Sequence, residues 1–415
     1  MRSEGILNAI GNIDDELIEA AQPPARAKKR GGLKWAAAAA CLAAMLAGGF
    51  ALYGRLSAPN TVDLPVLDLT PRDIGLFGYG FEGYVAYDIS ELATANPWTE
   101  QTRLKTLPVF RNPVDYDRAG APKSPLSDEV MEFMKTRLLE TAERLGLENV
   151  QVTDNAPSQE EIDAVTEKFA SVGEKVPEGY FEPTEVVAEQ DGVKLTVGAD
   201  LEVCIYFDPA VTLPEEIRFS YNGTYEETRA AAEYLLEQYR DLLGMEKPQV
   251  SITGGDYTYD GERMFGIEFF DAAGDKTRQI LNYNFNTASF FCNDEGKLWI
   301  IRLSQPDLSQ KVGDYPIISL KEARELLCAG YYTTTVPNAL GQEHIAPRGE
   351  EQIARVELIY RDSCQDEYFM PWYRFYVEMP DMARDNGLKT FGAYYVPAVP
   401  GELLTGMPVW EGQFN

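Results

Sequence analysis

The chain has 415 residues, 45% of them hydrophobic and 25% charged, a balance that describes packed protein and excludes a disordered polypeptide. Its formal net charge is −29, and only 6 of the 37 basic and 5 of the 66 acidic residues lie within the first 34 positions. The large remainder is therefore strongly acidic, repels polyphosphate, and is excluded as a nucleic-acid binder.

The first segment, "SEGILNAIGNIDDELIEAAQPP", sets Ile6, Ile10, Ile13 and Leu17 at helical spacing. Gly11 interrupts the pattern, Asn12 with Asp15 restarts it, and Pro23 and Pro24 end it. Turns this short do not hold themselves together in water. The segment reads either as a loose juxtamembrane stretch or as a docking peptide for a cytoplasmic partner such as a sensor kinase or sigma factor.

Lys28, Lys29, Arg30 and Lys34 then precede Trp35–Tyr53, 19 residues without a charge. About 20 apolar residues span a bilayer, and aromatic rings favour its interfaces. The expectation is a membrane helix over 34–54, anchored by Trp35, Leu42, Leu46, Phe50 and Tyr53, with residues 1–33 cytoplasmic and the acidic bulk outside the cell membrane. A removable export signal has a shorter start than this. The opening from Ile10 to Ala21, followed by a basic patch and one helix, resembles single-pass envelope proteins of Gram-positive bacteria, some of them anti-sigma-like.

Residues 55–75, rich in Pro and Asp, read as a linker. "GYGFEG", Gly78–Gly83, has the spacing of a dinucleotide loop, but a strand-like "YVAYDIS" follows where a helix is required, so no cofactor is expected. Helices are expected after Ser127, Ser158, Thr224 and Ser319, the last three opening S/T-x-x-E capping boxes, with stops at Gly146, Gly173, Gly244 and Gly330. Alternating strands follow the helices: "VKLTVGADLEVCIYF"; then "QVSITG", "RMFGIEFF", "QILNYNFNTASFF" and "KLWIIRL", joined by turns at "YDGE", "AAGD" and "NDEG"; then "IARVELIYR", "WYRFYVEM" and "KTFGAYYV". The predicted class is α+β: tandem units of a helix packed on an antiparallel sheet, over 76–220, 221–310 and 311–415, preceded by one transmembrane helix.

The last unit, "YPIISLKEARELLCAGYYTT" with "IARVELIYR", "MPWYRFYVE" and "GAYYVPAV", resembles the repeat of PepSY-like domains and of YycH/YycI proteins, clearest over 315–397 and looser over 220–305. The resemblance implies a single-pass, N-terminus-in protein that adjusts a membrane sensor kinase from outside the cell. It supplies no functional residue.

Catalytic signatures are scarce. The lone His344, in "GQEHIAPRG", excludes multi-histidine zinc sites, and neither G-x-S-x-G nor S-x-x-K occurs. Cys204, Cys292, Cys328 and Cys364 include no C-x-x-C, and their pairing is open. Chance carboxylate pairs are unavoidable in so acidic a chain. Trp372, Tyr373, Tyr394 and Tyr395 are candidates for an exposed aromatic surface; neighbours on a strand face opposite ways, so one of each pair belongs to the core. The expected function is a non-catalytic extracytoplasmic domain that binds a protein partner in the envelope and needs neither metal nor cofactor. The alternative is a glycan-binding protein or a carboxylate-based hydrolase.

Overall fold

The protein is described by a computed structural model over residues 64–70, 84–87, 94–116, 125–173, 175–176, 179–257, 263–334, 349–361, 366–383 and 387–406. Leu64–Asn415 forms one compact unit, distinct from Met1–Asp63. The membrane-span, basic-cluster and docking residues lie outside the described residues, as do Gly78–Gly83, His344, Cys364 and the "YDGE" turn. Among the described residues no helix is long and apolar enough to cross a membrane.

Helix α1 (Asp128–Arg144) begins where the Ser127 hydroxyl accepts from the Val130 N–H, and the chain turns away at Gly146, φ 77°. Helix α2 (Gln159–Ser171) opens on a reciprocal box between Ser158 and Glu161. Thr224 and Glu227 form the same box ahead of α3 (Tyr225–Gln238), and one further turn, α4 (Arg240–Leu243), ends at Gly244. Helix α5 spans Lys276–Phe285, and α6, Leu320–Cys328, starts at Ser319, which accepts from the Glu322 N–H.

In chain order the strands are β1 (Leu67–Asp68), β2 (Tyr84–Tyr87), β3 (Thr106–Arg111), β4 (Thr153–Asp154), β5 (Glu185–Gln190), β6 (Val193–Gly198), β7 (Val203–Val211), β8 (Pro248–Tyr257) and β9 (Arg263–Asp271). They continue as β10 (Thr287–Cys292), β11 (Leu298–Ser304), β12 (Lys311–Pro316), β13 (Thr333–Thr334), β14 (Ile353–Tyr360), β15 (Tyr368–Phe369), β16 (Pro371–Glu378), β17 (Lys389–Pro397) and β18 (Leu404–Thr405). The main sheet runs β14-β16-β17-β2-β8-β9-β10-β11-β7-β6-β5-β4, with β13 also on β17. Strands from all three sequence segments thus hydrogen-bond into a single sheet. The α+β class is what the chain adopts.

Three apolar clusters fill the body. The first lies between α1, α3 and the inward residues of β5–β7 and β9–β11, among them Met134, Leu138, Val186, Leu195, Ile205, Phe269 and Phe290. The second joins α5 and α6 to one face of β14, β16 and β17 through Ile280, Leu327, Leu358, Phe375 and Tyr394. The third covers the opposite face of those strands with Leu67, Val109 and Tyr315.

Leu67 corrects the linker expectation. It is fully buried, and β1 pairs in parallel with β18, Leu67 opposite Leu404 and Asp68 opposite Thr405. The Tyr315 hydroxyl donates to the Pro65 carbonyl at 2.7 Å, so an apolar residue in a Pro-rich stretch is seated on the core. Gly406 closes this edge at φ +64°, where a Cβ would sit 2.4 Å from the Thr70 nitrogen.

"AAGD" and "LNYNFN" are a second correction: a hairpin turn and a strand were expected, and α5 is found. Asp275 caps it by accepting from the Arg278 N–H at 2.9 Å. At helical spacing Ile280, Leu281 and Phe285 face the second cluster, while Tyr283 packs edge-on against Phe270, 5.1 Å between centroids. Apolar neighbours on two sides make a helix whose sequence alternates by chance. The "NDEG" turn does form, with the Asn293 N–H donating to the Lys297 carbonyl and Gly296 at φ +73°.

Candidate functional site

The four aromatic candidates are brought together, but inside the protein. Exposures of 3% for Trp372, 4% for Tyr373, 0% for Tyr394 and 3% for Tyr395 correct the expectation of a surface. Strand alternation holds as expected: Tyr373 and Tyr394 enter the second cluster, Trp372 and Tyr395 the third. What the alternation could not reveal is that both faces are covered. The Tyr373 hydroxyl donates to the Ile318 carbonyl at 2.9 Å, and Tyr332 stacks edge-on against Tyr394 at 5.1 Å.

The most concentrated chemistry lies on β14 and β16. Glu357 is directly opposite Arg374 in the strand register. Its Oε2 accepts from Arg374 Nε at 3.2 Å and Nη2 at 2.5 Å, and its Oε1 meets Arg355 Nη2 at 2.8 Å and the Thr94 hydroxyl at 3.2 Å. Arg355 also donates to that hydroxyl. Burial pushes the Glu357 carboxyl up, but the charges of Arg374 and Arg355, with hydrogen bonds from Arg374 and Thr94, outweigh it and hold the group below its ordinary range.

An anion held so firmly does not donate a proton; it fastens chain segments together. The Ala95 N–H donates to Ser251 Oγ at 3.4 Å on β8, and Asn96 Nδ2 to the Leu358 carbonyl at 3.2 Å on β14. Residues 94–96 therefore bridge β14 to a strand four places away in the sheet order. Tyr283 senses the same cluster: burial and the Glu357 charge both push its hydroxyl above its ordinary value. The signal in the sequence was the alternation of Arg355, Glu357 and Ile359 in "ARVELI", which reads as a wet face until the covering segment is known.

A cleft of about 190 Å³ opens beside the end of β11, lined by Asn112, Tyr116, Asp200, Glu202, Ser304 and Asp307 among others. Its carboxylates are engaged locally: Asp200 Oδ1 accepts from the Glu202 N–H, Glu202 pairs with Arg302 Nε at 3.1 Å, and Asp307 accepts from both the N–H and hydroxyl of Ser309. Among the described residues no group of three His, Cys, Asp or Glu is arranged to hold a metal ion. Cys204, Cys292 and Cys328 are free thiols, with burial pushing each above its ordinary value.

Comparison with protein-family models and with curated proteins gives no match for this chain.

Proposed function

We propose that this is a single-pass envelope protein, N-terminus inside, whose folded body outside the membrane binds a protein partner and performs no catalysis. On this reading the body is built from repeated helix-on-sheet units of the PepSY-like or YycH/YycI kind, fused edge to edge. The bias from the bound partner passes through the membrane helix or residues 1–25 to a sensor kinase or sigma factor.

The observation that carries the reading is the coincidence of two boundaries. The charge-free run ends at Tyr53, and a separate compact unit, holding nearly all the acidic residues, begins shortly afterwards at Leu64. A body tied down at its first strand and locked by arginine–carboxylate pairs suits a partner-binding platform.

The test is affinity purification of the full-length protein from gently crosslinked native membranes, beside a version lacking residues 1–25. Recovery of a kinase or sigma factor only with the intact N-terminus is expected. Unaltered partner signalling after loss of both the body and residues 1–25 overturns the proposal.

A second reading, glycan binding or carboxylate-based hydrolysis, is favoured by Asp200, Glu202 and Asp307 sharing one cleft with Tyr116. Retention of wall glycan by the protein and its loss in Asp307→Asn would establish it in place of the first.

A further inference from the structure

Helix α2 is built unlike the others. It has a complete capping box and a Gln159–Asp163 side-chain hydrogen bond of 2.8 Å one turn on, yet none of its residues is buried. Among the described residues, none of its side chains belongs to any of the three apolar clusters. Its apolar side is nevertheless continuous. Ile162, Val165 and Phe169 recur at one-face spacing and are half-buried, Val172 follows at 69% exposure, and Phe169 stacks edge-on against the exposed Tyr180 at 5.5 Å. A helix of this length is marginal without a packed face, so capping adds to a burial that the chain itself supplies only in part.

The flanking charge says what can cover the stripe. Glu160, Glu161, Asp163 and Glu167 are all exposed, against Lys168 alone within the helix. A second copy would bring the same acids against themselves. A lipid surface selects helices with basic polar faces and repels this one.

We propose that α2 docks a basic amphipathic segment of an envelope protein, its apolar residues seated on Ile162, Val165, Phe169, Val172 and Tyr180 and its lysines or arginines on the surrounding carboxylates. This rests on the reading of the body as an interaction domain and adds the chemistry of its partner. Apolar burial supplies affinity, and the charges select the partner and speed encounter.

The test uses full-length protein in neutral-lipid nanodiscs and two synthetic helical peptides with leucines at one-face spacing, one with lysines and one with glutamates elsewhere. The lysine peptide is expected to bind and the glutamate peptide to fail. Val165→Asp and Ala164→Asp add the same charge at adjacent positions, on the stripe and off it. Val165→Asp is expected to weaken binding at least about tenfold and Ala164→Asp by less than about twofold, with circular dichroism confirming that both fold.

Equal binding of the two peptides, or equal loss in the two variants, overturns the proposal. So does self-association of the protein that Val165→Asp abolishes while neither peptide binds. Signalling that persists when the lysine peptide fails to bind rejects this docking face alone; lost membrane topology with peptide binding intact rejects only the broader functional reading.

Discussion

Glu357 and Arg374 face each other across β14 and β16, and the two Arg374 nitrogens that reach the carboxylate do so at 3.2 and 2.5 Å. With Arg355 on its other oxygen, Glu357 is the common anion of two largely buried guanidinium groups. Glu357→Gln keeps the shape and removes the negative charge that the two guanidinium groups share. The expected cost is roughly 3–5 kcal/mol, read as a lower urea midpoint.

Stability depends on pH at both limits. The Glu357 carboxyl lies below its ordinary value of 4.5, so its contribution is complete above that pH and disappears as pH falls through the lowered value. Tyr239, Tyr332 and Tyr373 are pushed by burial from 10.0 up to about 12. Their neutral forms contribute below pH 10, and that contribution is lost as pH rises towards 12. Melting temperature should fall on both sides, with the phenolate absorbance of these tyrosines rising only as the protein unfolds.

Asp275→Ala tests the corrected helix. Loss of the N-cap should cost about 1 kcal/mol, whereas a hairpin turn at this point would tolerate the change. Chemical denaturation, with amide exchange over α5, distinguishes the two.

Gly406→Ala forces a Cβ into the Thr70 backbone at a positive φ. Faster exchange is expected at the Leu69 N–H, which donates to the Thr405 carbonyl, with exchange in β9 and β10 unchanged. Tyr315→Phe should loosen the same edge by about 1 kcal/mol through loss of its bond to Pro65.

Local signals in the sequence were reliable where the physics is local. Ser127, Ser158, Thr224 and Ser319 each accept from a backbone N–H three residues on, because a cap is decided within one turn. "LNYNFN" misled because apolar residues at alternate positions also satisfy a helix with neighbours on two sides. Tyr395 and Trp372 were legible as strand residues but not as buried ones, since their cover comes from Leu67, Val109 and Tyr315, more than fifty positions away. The Glu357 cluster was hidden for the same reason: the segment that completes it, around Thr94, is no neighbour in sequence. The half-covered apolar face of α2 shows the converse, a local pattern that predicts a core contact while none of its residues joins the three apolar clusters.

The parallel pairing of β1 with β18 sets a route for mechanical load. A load carried along β1 meets its pairing with Leu404 and Thr405 in shear, so these bonds resist together instead of opening one by one. The same load reaches the apolar face on which Leu67 is seated, beside Tyr315 and Trp372. Two strands more than three hundred positions apart thereby share one load.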